Sequence, residues 1–251
     1  MIAFFSDLDN TLIFSYKHDI GEDKRCVEIY QGREVSYITE RTYGLLKYAA
    51  SRLLFVPVTT RTEEQYRRIE MGVGIPPYAL VCNGGVLLID GQEDAGWYRE
   101  SVEMTADCRD ELEKAAEILE MDKNRILEVR NIRKLFLFTK SECPEESVDR
   151  LKEKLDMSQM DVFRNGVKVY ALPKALNKGA ALRRLRERIK PEQAIAAGDS
   201  GFDLPMLAEA DVGIAPQVLG KCYKLEGRIQ LMEPDRVFSE RLLEFVISSF
   251  L

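Results

Sequence analysis

Short apolar runs bounded by polar residues recur near both ends of the chain. Such runs are typical of strands that are buried on both faces of a parallel sheet. Between them, apolar residues recur at three- and four-residue spacing, which predicts helices at about 39–52, 62–70 and 178–189. The pattern therefore predicts a parallel sheet with strands at 2–6, 53–58, 78–82, 194–197 and 211–215.

The middle of the chain has a different pattern. Apolar and polar residues alternate on both sides of Gln31-Gly32, which predicts a hairpin at 26–38. From residue 86 onwards, antiparallel hairpins mix with helices, as is typical of an α+β domain. The elements predicted there are hairpins at 86–98 and 161–172, a strand at 134–139, and helices at 105–119 and 145–155. We therefore expect an α/β fold in which residues 1–85 and 173–251 form a Rossmann-like parallel-sheet core and residues 86–172 form an inserted α+β cap domain.

The composition is that of an ordinary globular protein. Of 251 residues, 45% are hydrophobic and 31% are charged, which is too apolar for a disordered chain. The net charge of −6 argues against non-specific binding to nucleic acid, and no apolar stretch approaches the roughly 18 residues that span a bilayer. The five cysteines form no C-x-x-C pair, which favours reduced thiols. We expect a cytoplasmic protein that binds neither nucleic acid nor membrane, and its oligomeric state stays open.

Polar residues that can carry chemistry follow the predicted core strands. Because ligands bind outside the carboxyl ends of strands in open parallel sheets, these residues should converge on one crevice. Carboxylates that converge repel one another unless a hard cation neutralises them, and oxygen ligands favour Mg²⁺. A cation, a lysine and a hydroxyl together suit a phosphoryl group, whose charge they offset. The converging residues are Asp7, Asp9, Thr59, Thr60, Lys178, Asp199 and Asp203.

The order and spacing of these clusters resemble the four motifs of the haloacid dehalogenase (HAD) superfamily. The motif residues are Asp7-Leu8-Asp9-Asn10-Thr11-Leu12, Thr59, Lys178-Gly179 and Gly198-Asp199-Ser200-Gly201-Phe202-Asp203. The insert between the second and third motifs resembles the sugar phosphatases that carry a type-2 α/β cap, such as the sucrose-phosphate phosphatases. One position departs from that subgroup, because Phe202 stands where Asn usually precedes the second acid. The resemblance implies a Mg²⁺-dependent phosphatase that acts on a small phosphorylated metabolite.

The resemblance also implies a role for each motif residue. Asp7 would attack phosphorus and form an aspartyl-phosphate, while Asp9 would protonate the leaving alcohol and later deprotonate water. Asp7, the backbone carbonyl of Asp9, Asp199 and Asp203 would hold Mg²⁺. The residues expected to bind the phosphoryl group or the rest of the substrate are Thr11, Thr59, Thr60, Arg61, Asn83, Gly84, Lys178 and Ser200, of which Thr59 and Lys178 also belong to the catalytic set.

A narrower resemblance concerns the substrate. Residues 26–32, residues 56–62 with Gln65-Tyr66, and Asn83-Gly84-Gly85 are similar to HAD-like proteins of tellurite-resistance (ter-type) gene clusters. That resemblance implies a nucleotide or ribosyl phosphate, whereas the broader one implies a sugar phosphate. The sequence leaves both substrate classes open.

Other activities use the same core residues. A phosphomutase or phosphotransferase differs only in the group that receives the phosphoryl, and a catalytically silent regulatory protein binds phosphate without turnover. A receiver domain also gathers acids, a threonine and a lysine around Mg²⁺, but it has the size of one small domain, whereas this set spans residues 7–203. We therefore expect a phosphomonoester hydrolase, with the mutase and the silent protein as alternatives.

Overall fold

We describe the chain from a computed structural model, which covers residues 1–225 and 227–251. The chain divides into two compact units. Unit 1 comprises Met1–Asp94 and Asn177–Leu251, and unit 2 comprises Ala95–Leu176. Unit 2 is thus a continuous stretch of chain inserted between two segments of unit 1.

Strands and helices alternate from residue 178 to residue 250, whereas strands often follow one another directly in the preceding part of the chain. The strands are β1 (Ile2–Ser6), β2 (Phe14–Ser15), β3 (Lys24–Tyr30), β4 (Arg33–Thr39), β5 (Leu54–Pro57), β6 (Tyr78–Val81), β7 (Val86–Ile89), β8 (Gln92–Glu93), β9 (Arg130–Ile132), β10 (Phe136–Lys140), β11 (Met160–Asn165), β12 (Lys168–Pro173), β13 (Gln193–Ala197), β14 (Val212–Pro216) and β15 (Ile229–Met232). The helices are α1 (Glu40–Ala50), α2 (Glu63–Tyr66), α3 (Ala95–Met104), α4 (Arg109–Glu120), α5 (Pro144–Lys154), α6 (Lys178–Ile189), α7 (Leu204–Glu209), α8 (Gln217–Cys222) and α9 (Phe238–Phe250). Short 3₁₀ helices lie at Cys82–Gly84 and Ala106–Cys108.

The main sheet of unit 1 is parallel and has the strand order β15-β14-β13-β1-β5. Strand β1 pairs on both sides, with Ile2 opposite Gln193 of β13 and Ala3 opposite Leu54 of β5. Residues 3–6 are fully buried, as expected for a strand that is covered on both faces. The carboxyl ends of β1, β5 and β13 therefore lie side by side at one edge of the sheet.

The hydrophobic core of unit 1 joins this sheet to two helices. Phe4 of β1 and Ile214 of β14 share one buried cluster with Leu46 of α1 and Leu242 of α9. Helix α9 and strand β15 were not predicted from the sequence pattern. Burial of four residues on α9, three of them apolar, shows that packing against the core supports this helix.

A second sheet of unit 1 begins where a further parallel strand was predicted. Strand β6 meets the parallel sheet at one bridge between Val58 and Leu80, and it pairs antiparallel with β7. Strands β7 and β8 turn at Asp90-Gly91, whose positive φ angles of 47° and 77° suit a tight type I′ turn. The division between the units therefore follows Asp94, whereas the predicted boundary followed residue 85, and it precedes Asn177 rather than residue 173.

Unit 2 has an antiparallel sheet with the strand order β11-β12-β10-β9. Leu112 of α4 and Leu151 of α5 share a buried cluster with Leu137 of β10 and Val169 of β12. The predicted hairpin at 86–98 is wrong beyond residue 94, because α3 begins at Ala95. The mixture of hairpins and helices predicted for the insert is confirmed.

The two units confirm the predicted fold class, an α/β parallel-sheet core with an inserted α+β domain. Across residues 1–225 and 227–251, none of the helices is both long enough and apolar enough to cross a bilayer. No disulfide joins the described cysteines.

Candidate active site

Backbone hydrogen bonds join the loops at the carboxyl edge of the parallel sheet. Asp7, which follows β1, donates its N–H to the carbonyl of Ala197 in β13 at 2.9 Å. Val58, which follows β5, donates to the carbonyl of Ser6 in β1 at 2.8 Å. The parallel pairing of these three strands thus brings residues 7, 59 and 199 to the same edge of unit 1.

A buried lysine lies at the centre of this edge. The ammonium of Lys178 is 2.5 Å from Oδ1 of Asp7 and 2.6 Å from Oδ1 of Asp203, and all three residues are at most 6% exposed. Lys178 is the first residue of α6, behind the N-cap Asn177, where a cation opposes the helix macrodipole. Its two carboxylate partners offset that cost. Burial by itself lowers the pKa of Lys178, but the charges of Asp203 and Asp7 outweigh burial and raise it.

Asp203 organises the loop that carries Asp199. Its Oδ2 accepts hydrogen bonds from the backbone N–H groups of Asp199 (3.1 Å) and Ser200 (2.9 Å) and from the Ser200 hydroxyl (2.8 Å). Gly198 permits this arrangement, because a Cβ there would lie 2.3 Å from the Cβ of Asp203. Both oxygens of Asp203 already accept hydrogen bonds, so its carboxylate chiefly fixes the loop and Lys178.

Three carboxylates crowd around this lysine. One oxygen from each of Asp7, Asp199 and Asp203 lies within 4.8 Å of the others. The hydroxyl of Thr11 donates to Asp199 at 3.1 Å and lies 3.4 Å from Oδ2 of Asp7. This threonine therefore joins the first motif to the last.

The cluster holds more negative charge than its lysine compensates. Burial, followed by the charge of Asp203, raises the pKa of Asp199 to about 7. Burial also raises the pKa of Asp7 well above its usual value, against the opposing charge of Lys178 and with further increases from Asp203 and Asp199. A set of oxygen ligands that is short of positive charge fits a hard divalent cation such as Mg²⁺. The residues present therefore fit the metal that the motifs implied.

Asp9 makes a bidentate ion pair with Arg61. The guanidinium Nε and Nη2 atoms of Arg61 lie 2.7 Å from Oδ2 and Oδ1 of Asp9, respectively. Burial lowers the pKa of Arg61, but the hydrogen bonds and charge of Asp9, together with Glu28, outweigh burial and raise it. Arg61, predicted to bind substrate, is thus engaged with two carboxylates in this structure.

The second motif and the Cys82–Gly84 turn are held together by their backbones. The hydroxyl oxygen of fully buried Thr59 accepts the N–H of Arg61 at 3.1 Å, which leaves the hydroxyl proton available to donate. Asn83 donates its N–H to the Thr59 carbonyl at 2.9 Å, and Cys82 donates to the Arg61 carbonyl at 2.7 Å.

The turn itself has a left-handed backbone, with φ angles of 53°, 58° and 87° at Cys82, Asn83 and Gly84. A Cβ on Gly84 would lie 2.3 Å from the Cβ of Ala181 in α6, so glycine is required there. The turn therefore packs against the helix that begins with Lys178.

The structure brings most of the predicted site residues together. Asp7, Thr11, Lys178, Asp199, Asp203 and Ser200 form one hydrogen-bonded set. Asp9 and Arg61 form an adjoining pair that is linked by backbone contacts to Thr59 and Asn83. Thr60 is half-buried beside Thr59. Among the described residues, none forms a hydrogen bond with the Thr60 side chain.

Sequence reasoning missed one residue beside this site. Glu28 is 4% exposed and lies 2.9 Å from Nη1 of Arg61. The 26–38 hairpin was predicted, but nothing in its alternation indicates that this carboxylate points inward.

Comparison with known proteins places these motifs in a family. The family model described as Sucrose-6F-phosphate phosphohydrolase matches residues 1–218. A curated relative, the phosphoglycolate phosphatase of Methanopyrus kandleri, is 28% identical over 137 residues, which are 53% of this chain and 56% of the relative. The chain thus matches a little over half the length of that relative.

Solved structures share the fold. The X-ray structure of the sucrose-phosphatase from Synechocystis sp. PCC6803, in complex with sucrose and phosphate, has a TM-score of 0.67 at 20% identity and covers 98% of this chain and 97% of that one. A phosphatase of the haloalkanoate (HAD) superfamily from Bacteroides thetaiotaomicron has a TM-score of 0.54 at 15% identity and covers 98% and 94% of the two chains. At these identities the likeness shows the fold alone.

The family match extends over all four motifs and over most of the chain. It confirms the resemblance to the sucrose-phosphate phosphatases that the motifs indicated. The chain belongs to the Sucrose-6F-phosphate phosphohydrolase family.

Proposed function

We propose that the protein is a Mg²⁺-dependent hydrolase of small phosphomonoesters that acts through an aspartyl-phosphate. The observation that carries the proposal is the buried cluster at the carboxyl edge of the sheet. There, carboxylate oxygens of Asp7, Asp199 and Asp203 lie within 4.8 Å of one another around the ammonium of Lys178. Such a cluster is costly to fold unless it binds a cation and an anion that compensate its charges.

In the first step, a carboxylate oxygen of Asp7 attacks phosphorus, and the bond between phosphorus and the ester oxygen breaks. Lys178, 2.5 Å from Asp7, fixes the nucleophile and offsets the charge of the phosphoryl oxygens. The hydroxyl of Thr59 donates to one of those oxygens. Asp7, the Asp9 carbonyl and Asp199, with Asp203 behind them, would hold Mg²⁺, which would supply further positive charge next to the phosphoryl group.

Asp9 moves the protons. It gives a proton to the leaving alcohol in the first step, and in the second step it takes a proton from the water that attacks phosphorus and releases phosphate from Asp7. The ion pair with Arg61 favours ionised Asp9, which is the proton-accepting form of the second step. Protonation of Asp9 before the first step weakens that pair, and the full ion pair is restored when Asp9 gives up its proton.

For the substrate we propose a sugar phosphate first. The family model that matches the chain is described by a sugar phosphate, sucrose-6F-phosphate. A curated relative acts on phosphoglycolate, a smaller phosphomonoester. A nucleotide or ribosyl phosphate is the second class, as the narrower sequence resemblance implied. We also propose a cytoplasmic setting, since the scattered cysteines suit reduced thiols.

A panel of phosphorylated metabolites tests the proposal. Purified protein is incubated with sugar phosphates, nucleoside monophosphates and phosphoglycolate, with Mg²⁺ or with EDTA, and the release of inorganic phosphate is measured. We expect phosphate from at least one phosphomonoester with Mg²⁺ and none with EDTA. A phosphorylated isomer formed without free phosphate would show a mutase instead, and no reaction with any member of the panel would contradict the proposal.

A further inference from the structure

A buried carboxylate outside the four motifs lies next to the proton-transfer residue. Glu28 of β3 is 4% exposed. One of its oxygens accepts hydrogen bonds from the Ser36 hydroxyl at 2.7 Å and from Nη1 of Arg61 at 2.9 Å. Its other oxygen lies 3.3 Å from Nε of Arg68. Carboxylates are buried this deeply only when they are paired and hydrogen-bonded, as this one is.

An irregular strand turns this side chain inward. In a regular strand, successive side chains point to opposite faces. Strand β3 breaks that rule, because Val27 and Glu28 are both buried. The pairing with β4 shifts register on each side of Glu28, which is the signature of a β-bulge, and bulges re-aim side chains beside active sites. An antiparallel bridge from Glu28 to Ile69 fixes the irregular segment.

Arg61 connects this carboxylate to Asp9. The guanidinium is planar and rigid, so fixing one of its edges also fixes the orientation of the other. Nη1 is held by Glu28, while Nε and Nη2 hold both oxygens of Asp9. The Arg61 side chain is only 13% exposed, whereas that of Asp9 is 42% exposed. Asp9 is therefore the more exposed partner of the ion pair, and Arg61 is held on its buried side by Glu28.

We propose that Glu28 is a positioning residue for proton transfer: it holds Arg61 so that the guanidinium orients the Asp9 carboxylate toward the reacting phosphate ester. The proposal rests on the proposed function. It gives the β3–β4 hairpin a role in turnover and assigns Arg61 to Asp9 rather than to the substrate. In this proposal, Glu28 acts only through Arg61.

The test is Glu28→Gln, which keeps the size of the side chain and removes the charge that holds Arg61. We expect kcat for the best substrate of the panel to fall about tenfold, the lower end of what losing an orienting partner costs, while KM changes less than about twofold because no substrate contact is lost. The matched control is Glu34→Gln on β4 of the same hairpin, an exposed carboxylate bonded to the Tyr37 hydroxyl, which should leave both constants unchanged.

A double-mutant cycle separates positioning from a general structural effect. In an Arg61→Met background, Glu28→Gln should change kcat less than about twofold, because the link is already broken. A tenfold loss in that background as well, or a rise in KM with kcat unchanged, would overturn the inference.

Thermal melting is followed in parallel. If Glu28→Gln is too unstable to assay, Ser36→Ala, which keeps the charge but removes the hydroxyl that orients Glu28, should lower kcat about threefold; an unchanged kcat in that variant contradicts the inference. A wild-type protein that hydrolyses no phosphomonoester overturns the proposed function and this inference together. If the wild type is active and Glu28→Gln has the same kcat, this inference alone is overturned.

Discussion

Two buried aspartates, one in each unit, show how differently a carboxylate can be accommodated. Asp7 of unit 1 and Asp122 of unit 2 are both 6% exposed. Burial tends to raise the pKa of each. At Asp122, hydrogen bonds from Ser147 and from the backbone of Asn124, together with the charge of Arg150, outweigh burial and lower the pKa. At Asp7, neighbouring acids add to burial, and the pKa is raised well above its usual value.

The difference distinguishes a structural carboxylate from one that we propose to be reactive. Asp122 has a hydroxyl at 2.5 Å, a guanidinium at 2.9 Å and a backbone N–H at 3.0 Å, so its charge is compensated within unit 2. Asp7 shares one lysine with Asp203, and Asp199 adds a further charge. The strain in that cluster is the kind that a cation and a phosphoryl group relieve.

The largest effect is expected when the same substitution, Asp to Asn, is made at Asp7 and at Asp122. Asp7→Asn should lower turnover of p-nitrophenyl phosphate on the order of a thousandfold or more, because an amide cannot form the aspartyl-phosphate. Asp122→Asn should leave kcat per folded molecule unchanged. Steady-state kinetics with Mg²⁺ measures both, and circular dichroism checks the fold. Retained activity in Asp7→Asn would exclude Asp7 as the nucleophile.

The next largest effect concerns the pH dependence of stability, to which Asp199 contributes. Folding raises the pKa of Asp199 from 3.8 to about 7, so between these values the folded state binds more protons than the unfolded state. Stability contributed by this group is therefore lost as pH rises from about 4 to 7, by up to roughly 4 kcal/mol. Urea unfolding in EDTA should show a shallower fall for Asp199→Asn than for wild type. If the free energy of unfolding falls equally with pH in wild type and in Asp199→Asn, the ionised form of Asp199 is not destabilised in the folded protein.

Adding the metal should reverse that loss. A ligand present at a hundred times its dissociation constant stabilises the folded state by about 2.7 kcal/mol. For a chain of this size, that corresponds to a rise in Tm of about 5–10 °C. Differential scanning calorimetry with and without Mg²⁺ measures the rise in wild type. The rise should be much smaller in Asp199→Asn, and an equal rise in both proteins would argue against metal binding at this cluster.

The smallest effect concerns stability in unit 2. Asp122→Asn should lower the free energy of unfolding by about 1–2 kcal/mol, because charge-assisted hydrogen bonds to Ser147 and Arg150 become neutral ones. Urea denaturation at pH 7 measures the loss. The matched change Asp7→Asn, assayed without metal, should cost less because it also removes a repelling charge. A larger loss of unfolding free energy for Asp7→Asn than for Asp122→Asn would show that the charge of Asp7, and not that of Asp122, is the better compensated.

Local pattern was enough to predict most of the parallel core. Strand β1 and helix α6 have the predicted bounds of 2–6 and 178–189. A short apolar run and an Asn N-cap are local features, and the topology of parallel sheets then brings the strand ends together. The candidate acids were found for the same reason, since each lies in the loop that follows a core strand.

What the sequence could not predict depends on tertiary contacts. Helix α2 ends at Tyr66 instead of continuing to residue 70, because the N–H of Glu70 bonds to the carbonyl of Val27 in the hairpin. Glu28 was missed since a bulge, not the alternation of strand residues, turns it inward. Helix α3 was mistaken for part of a hairpin, although Trp97 and Ser101, four residues apart, are buried on one helical face.

The central place of β1 also governs when the candidate site can form during synthesis. Its partner β13 lies about 190 residues further along the chain. At translation rates of 5–20 residues per second, the ribosome takes roughly 10–40 s to make that stretch. Until then, one edge of β1 has no native neighbour and Asp7 lacks both Lys178 and Asp199. An emerging chain thus presents an unpaired apolar edge that chaperones can shield. The proposed nucleophile, Asp7, gains these partners only after the whole insert has been made.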